Sequence, residues 1–121
     1  MLGVYLGIQE GITSNKLIID TTPIIHVERP YYELEARITC YGPTGYRTAA
    51  QIYPQEGMVA SSDRNLPLGT IVKIDDKTYS VQDRTAIWVR DNFQYPTFDI
   101  FMDEGCDGSF GNQIKTVKIF K

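Results

Sequence analysis

The sequence predicts a small, mainly β domain that closes into a six-stranded barrel. The chain has 121 residues, of which 42% are hydrophobic and 22% charged, values that are typical of one globular core. From Tyr32 onward, short apolar runs and turn residues alternate as in successive β-strands. Helix content should be low, because only Met102 to Ser109 leaves room for a helical turn and its glycines disfavour helix. Barrel closure would remove the exposed edges of six such strands.

The strands are predicted in chain order from their alternation and from the turns between them. Residues Glu35 to Tyr41 alternate polar and apolar side chains, and Gly42–Gly45 reads as a turn. A second, hairpin-like turn is predicted at Asp75–Lys77. The predicted strands are Glu35–Tyr41, Gly57–Ala60, Thr70–Ile74, Lys77–Val81, Thr97–Met102 and Ile114–Phe120.

Residues 1–34 are predicted to form an N-terminal extension to a barrel domain that spans residues 35–121. Leu17–Ile19 and Pro23–Val27 are short β-prone runs interrupted by turn residues. They could pair with a barrel edge, lie on the surface as an arm, or mediate self-association. His26, the only histidine, is a candidate acid/base group or simply a partly exposed strand residue, which we favour.

Three aspartates form the candidate catalytic site. Asp63, Asp83 and Asp99 each end or interrupt a short apolar run, and strand ends are where barrels open their clefts. Carboxylates that converge on one cleft shift each other's pKa values apart, as acid/base chemistry requires. Asp99 lies in an aromatic, apolar strand, so desolvation should raise its pKa toward that of a general acid.

The order of these motifs resembles a known family. Asp63 precedes Leu66–Thr70, Asp83 follows Tyr79–Gln82, and Asp99 lies within Phe98–Phe101. Taken together, residues 35 to 121 resemble the 3D domain, named after three aspartates and found in bacterial cell-wall-active proteins such as the A-type membrane-bound lytic transglycosylases. The flanking segments that share this resemblance are Tyr41-Gly42-Pro43, Arg47-Thr48-Ala49, Phe110-Gly111 and Thr116–Ile119.

The resemblance implies a double-psi β-barrel that cleaves peptidoglycan glycan strands. Asp99 then matches the catalytic acid/base, which protonates the leaving oxygen and accepts the proton of the attacking sugar hydroxyl, giving a 1,6-anhydro product. Asp83 and Asp63 would lie near the cleft, and no cofactor or metal is implied. The candidate substrate-binding residues are Tyr41, Thr48, Arg84, Thr85 and Trp88.

Structural roles compete with each catalytic assignment. Asp99 could cap a loop, Asp83 could form an ion pair with Arg84, and Asp63 could bond its own backbone at the turn that follows. Trp88 could stack on a sugar ring or fold over the barrel. Where the family has a Gly-Gly pair, this chain has Arg84-Thr85-Ala86. A non-catalytic glycan-binding module or a phage or envelope structural protein therefore remains an alternative.

The remaining residues narrow the classes of function. A net charge of −3 with scattered basic residues argues against nucleic-acid binding. No segment approaches the ~20 apolar residues of a membrane helix, and Met1–Ile8 does not form an export signal. A cell-envelope or extracellular location is expected from the resemblance, reached through a trimmed signal or phage delivery. Cys40 and Cys106 could form a disulfide or stay as separate thiols, and the acidic residues near Asp103 do not form a calcium loop.

Overall fold

A computed structural model describes residues 29–107 and 110–121. The predicted extension up to residue 28, including its two apolar runs and His26, lies outside the described residues. The elements in chain order are β1 (Tyr31–Tyr41), β2 (Met58–Ser61), β3 (Ile71–Ile74), β4 (Lys77–Arg84), α1 (Ile87–Asn92), β5 (Thr97–Phe101) and β6 (Gln113–Phe120). The predicted mainly β class is confirmed.

The six strands form a closed barrel in the order β1-β5-β2-β4-β3-β6. Two of the pairings, β1 with β5 and β2 with β4, are parallel, and the other four are antiparallel. Parallel neighbours cannot be joined by a short hairpin, so each parallel pair brings together strands that are distant in sequence. Among the six described strands, only β3 and β4 form a simple hairpin, with Asp75 and Asp76 at positive φ in its turn.

One face of every strand fills the barrel interior. Phe98 and Ile100 of β5 and Ile38 of β1 point inward and are buried, because alternate residues of a strand face opposite sides of the sheet. The residues between them therefore lie on the outer wall. The remaining core side chains are Ala36, Val59, Leu66, Val72, Ile74, Val81, Val117 and Ile119.

The predicted elements differ from the structure chiefly in β1, in the helix and in β4, which continues to Arg84 beyond its predicted end at Val81. Strand β1 begins at Tyr31, upstream of the predicted start at Glu35, because its first residues pair with the end of β6. The short helix lies at Ile87–Asn92, in the connection from β4 to β5, and not in the predicted segment Met102–Ser109. Within that segment, Asp103 and Glu104 form only a turn, and residues 108 and 109 lie outside the described residues.

The helix α1 escaped prediction because it carries no helical sequence pattern. None of its residues is buried, so there is no apolar stripe with the period of a helix. Its N-cap, Ala86, makes no side-chain cap bond, and Trp88 is 60% exposed. Tertiary bonds at its base hold it in place, among them the hydrogen bond from Arg64 Nη2 to the Thr85 carbonyl.

The two cysteines form a disulfide between Cys40 of β1 and Cys106, which are 66 residues apart in sequence. The bond ties the segment after β5 to the end of β1. Gly42 and Gly105 meet at the same place, where a Cβ on Gly42 would come within 2.9 Å of the Gly105 Cα. Glycine is therefore needed at position 42 for this close approach.

Among residues 29–107 and 110–121, no helix has the length and apolar character needed to cross a membrane.

Candidate active site

Asp99 lies on the outer wall of the barrel, at a cavity between the sheet and α1. The inward neighbours Phe98 and Ile100 bury their side chains in the core, so Asp99 points outward between them. The cavity has a volume of about 340 Å³ and its floor comes from β1 and β5. Its lining residues are Arg37, Thr39, Cys40, Thr85, Ala86, Trp88, Val89, Thr97 and Asp99.

The surroundings of Asp99 favour its protonated form. Burial is the largest effect and raises the pKa of its carboxyl above the ordinary value, and the nearby charge of Asp83 acts in the same direction. The Thr39 hydroxyl donates a hydrogen bond of 2.8 Å to Asp99 Oδ1 and, with the Arg37 charge, lowers the pKa in part. Burial outweighs both, so the net direction is upward, as expected from the apolar sequence around Asp99.

Asp83 lies two strands away from Asp99, because both residues pair with Ala60 of β2 from opposite sides. Neighbouring strands are about 4.8 Å apart, so the two backbones are separated by roughly 10 Å at this level. A register shift between Val59 and Ala60 adjusts the pairing with β4 at this point. The sheet thus brings together two of the three predicted aspartates.

The carboxylate of Asp83 is occupied by three donors. Oδ1 accepts the backbone N–H groups of Ala49 and Arg84, at 2.9 and 2.8 Å, and Oδ2 accepts the Tyr41 hydroxyl at 3.2 Å. Burial, followed by the charge and hydrogen bond of Asp83, raises the pKa of Tyr41. The Tyr41 hydroxyl therefore stays protonated as a donor to Asp83.

Asp63 lies apart from the other two aspartates. Its Oδ1 accepts the backbone N–H of Asn65 at 2.9 Å, the local turn contact that the sequence left open for it. It lines a different cavity, of about 240 Å³, together with Phe93 and Tyr95. Its geometry is that of a turn residue and not of a partner to Asp99.

The predicted substrate-binding residues divide into two groups. Thr85 and Trp88 line the Asp99 cavity, and Tyr41 bonds Asp83. Arg84 instead directs its side chain to the Asp63 and Leu66 carbonyls, at 3.0 and 2.6 Å. It therefore anchors the turn after β2 and forms no ion pair with Asp83.

Thr48 is the most enclosed of the predicted binding residues. Its side chain is 3% exposed and its Oγ1 is buried without a hydrogen-bond partner. Its backbone N–H donates to the Ile52 carbonyl at 2.7 Å, in the loop whose Ala49 N–H reaches Asp83. In this conformation Thr48 supports that loop and offers no hydroxyl to the cavity.

Sequence reasoning missed two cavity residues, Arg37 and Thr39. Both lie on the outer face of β1, opposite Thr97 and Asp99 in the parallel pairing with β5. The signal was present in the alternation of β1, whose odd-numbered residues from Glu35 to Tyr41 are all polar or aromatic. Only the pairing with β5 shows which aspartate they face.

A further cavity, of about 200 Å³, lies at one end of the barrel and includes Ile74, Tyr79 and Met102. Its carboxylate, Asp75, already forms an ion pair with Lys115 at 2.6 Å. In the described part of the chain, no group of three or more His, Cys, Asp or Glu side chains is placed to hold a metal ion.

Comparison of the chain with protein-family models, with curated proteins and with solved structures finds no match. The function is therefore inferred from the residues and geometry of this protein together with the resemblance of its motifs to the 3D domain.

Proposed function

We propose that this protein is a peptidoglycan-cleaving, lytic transglycosylase-like enzyme on a double-psi β-barrel of the 3D type, with Asp99 as its general acid/base. The observation that carries the proposal is a half-buried carboxyl with a raised pKa that lines an open cavity. A raised pKa brings such a group closer to the protonated state that a general acid needs, and its place at the cavity lets it reach a bound ligand.

The reaction requires one carboxyl group. Asp99 donates its proton to the glycosidic oxygen as the bond from that oxygen to C1 breaks. The ionised Asp99 then accepts the proton of the C6 hydroxyl, whose oxygen forms the new bond to C1. The leaving sugar keeps the first proton, the anhydro sugar closes on itself, and Asp99 returns to its protonated form.

The surroundings of Asp83 favour this scheme over hydrolysis. A glycosidase that uses water needs a second carboxylate as base or nucleophile. Asp83 accepts three hydrogen bonds from the protein, so both of its carboxylate oxygens are already engaged and are poorly placed to activate a water molecule. We therefore assign Asp83 to positioning: it holds Tyr41 and the loop at Ala49 against the sheet.

The position and exposure of Trp88 favour a saccharide as the ligand of this cavity. It lines the Asp99 cavity and is 60% exposed, with its ring 6.2 Å from the ring of Phe93. An exposed aromatic plate beside a polar floor suits the apolar face and hydroxyl edge of a sugar. An exposed tryptophan serves a glycan-binding module equally well, so the experiment must measure turnover and binding separately.

The test is to incubate purified protein with peptidoglycan and to analyse the soluble products by mass spectrometry. We expect muropeptides that end in 1,6-anhydro-muramic acid, reduced roughly 10²- to 10⁴-fold in Asp99→Asn. Asp76→Asn is the matched control, because Asp76 is exposed in the β3–β4 turn at a positive φ that asparagine tolerates.

Each other outcome has a defined meaning. Products with a reducing end would replace the transglycosylase with a hydrolase. A folded wild-type protein that sediments with the wall but releases nothing would contradict the enzyme and leave a glycan-binding module. Equal activity of wild type and Asp99→Asn would remove Asp99 from the mechanism.

A further inference from the structure

The Asp99 cavity also contains a cation, Arg37, whose charge lowers the pKa of Asp99 in part. Arg37 lines the cavity from β1, and among the described residues it forms no close ion pair with a carboxylate. The carboxylates of Glu35 and Asp99 accept hydrogen bonds from the hydroxyl groups of Thr116, at 2.7 Å, and of Thr39.

The guanidinium of Arg37 uses few of its donors. Nη1 donates to Thr97 Oγ1 at 3.0 Å, and Nε is buried without a hydrogen-bond partner. A guanidinium has five N–H donors, and leaving a charged donor unsatisfied away from water is costly. Such a group is retained most readily where a ligand completes its hydrogen bonds.

The protein nevertheless holds this side chain in one orientation. Its guanidinium carbon lies 3.7 Å from the centre of the Phe93 ring, a stacking geometry that favours a planar cation. Together, Phe93 and Thr97 fix the plane of the guanidinium beside the cavity. A fork of N–H groups fixed in this way is suited to a carboxylate, which it can bind through two parallel hydrogen bonds.

We propose that Arg37 binds a carboxylate carried by the glycan, so that an acidic saccharide and not a neutral one is the preferred ligand of the Asp99 cavity. This inference rests on the proposed function, because it takes the ligand to be a cell-wall glycan. Two groups of the glycan carry such a carboxylate. One is the lactyl group of muramic acid when no peptide is attached to it, and the other is the stem peptide when one is attached.

The experiment measures binding to the full chain without turnover, by calorimetric and NMR titration. The three ligands are N,N′-diacetylchitobiose, the disaccharide of N-acetylglucosamine and N-acetylmuramic acid with a free lactyl carboxylate, and the same disaccharide bearing a dipeptide. We expect one of the two acidic ligands to bind roughly 10- to 100-fold more tightly than chitobiose. Which of them does so identifies the source of the carboxylate.

Variants then test Arg37 itself. Arg37→Gln should abolish the preference for the acidic ligand over chitobiose, whereas Arg37→Lys should keep part of the preference, since it keeps the charge but loses the fork. Arg90→Gln is the matched control, because Arg90 is exposed on α1 and paired with Asp91. It should retain the full preference.

Equal binding of neutral and acidic ligands by the wild-type protein would overturn the inference, whatever the folding of the variants. A preference that survives in Arg37→Gln would also overturn it. The proposed function fails separately: acidic binding without anhydro products would keep the Arg37 site and reject the enzyme. Anhydro products without a preference for acidic ligands would keep the enzyme and reject the Arg37 site.

Discussion

Asp83 and Asp99 flank the same residue of β2, yet their surroundings differ in kind. Asp83 accepts three hydrogen bonds, two of them from backbone N–H groups. Asp99 accepts one, from a threonine hydroxyl, and burial raises its pKa. The first environment ties the Asp83 carboxyl group to the protein through both oxygens, whereas the second disfavours the charge of Asp99 and leaves that group at a cavity.

The comparison shows how one sheet can give two aspartates opposite roles. Both lie on the outer wall at the level of Ala60, so position in the barrel does not separate them. The donors do: Asp83 accepts backbone N–H groups from the loop at Ala49 and from Arg84, whereas Asp99 accepts one hydroxyl, from Thr39, at a cavity. Hydrogen-bond donors, and not proximity alone, therefore set which of the two carboxyl groups is free to meet a ligand.

The largest expected effect comes from removing the disulfide that supports both aspartates. Cys40 lies between Thr39, which bonds Asp99, and Tyr41, which bonds Asp83. Closing a loop of 66 residues restricts the unfolded chain, so Cys40→Ser with Cys106→Ser should lower the free energy of unfolding by about 2–4 kcal/mol. Urea denaturation of the oxidised wild type and the double variant measures it.

Strand pairing also holds Thr39 and Tyr41 in place, so the folded double variant should keep its activity on peptidoglycan within a few-fold. Unchanged stability would show that the disulfide adds nothing to the fold. Lost activity in a folded variant would show that it holds the two donors in place.

A matched pair of amide substitutions tests the difference between the two aspartates directly. Asp83→Asn should lower the free energy of unfolding by about 1–3 kcal/mol, because an amide cannot accept all three donors. Asp99→Asn should raise the stability at pH 7, because it removes a carboxylate whose ionisation burial disfavours. Thermal and urea unfolding of both variants and the wild type measures the two changes in stability, which should have opposite signs.

The gain in stability expected of Asp99→Asn depends on pH. The folded protein holds the Asp99 proton more tightly than the unfolded chain does, so this group's contribution to stability falls as pH rises from the ordinary pKa of 3.8 through the raised value. The advantage of the variant should therefore be full above that interval and vanish below it. An advantage that is the same at all pH values would contradict the burial of an ionisable Asp99.

The smallest expected effect tests whether the Thr39 hydroxyl lowers the pKa of Asp99. Thr39→Val removes the hydroxyl that lowers the pKa of Asp99, so the pKa should rise further. Because the general acid must be protonated, the alkaline limb of the kcat/KM profile on peptidoglycan should move to higher pH. Thr39→Ser, which keeps the hydroxyl, should leave the limb where it is, and a shift to lower pH in Thr39→Val would contradict the assignment.

Much of the barrel could be predicted from the sequence because strand patterning is local. The alternation in β1 and the turn at Asp75 and Asp76 are properties of neighbouring residues. The outward direction of Asp99 also followed from the apolar residues on either side of it. The helix could not be predicted, because α1 buries no residue and so leaves no periodic signal.

The sequence by itself determined the strands and the apolar setting of Asp99, since each depends on a few consecutive residues. Only the tertiary structure decided what the aspartates face. The parallel pairings of β1 with β5 and β2 with β4 join segments far apart in the chain, and they place Thr39 and Arg37 near Asp99. They do not include Asp63, whose carboxylate accepts a hydrogen bond within its own turn and lines a different cavity. The roles of the three carboxyl groups therefore depend on contacts that form only when the barrel closes.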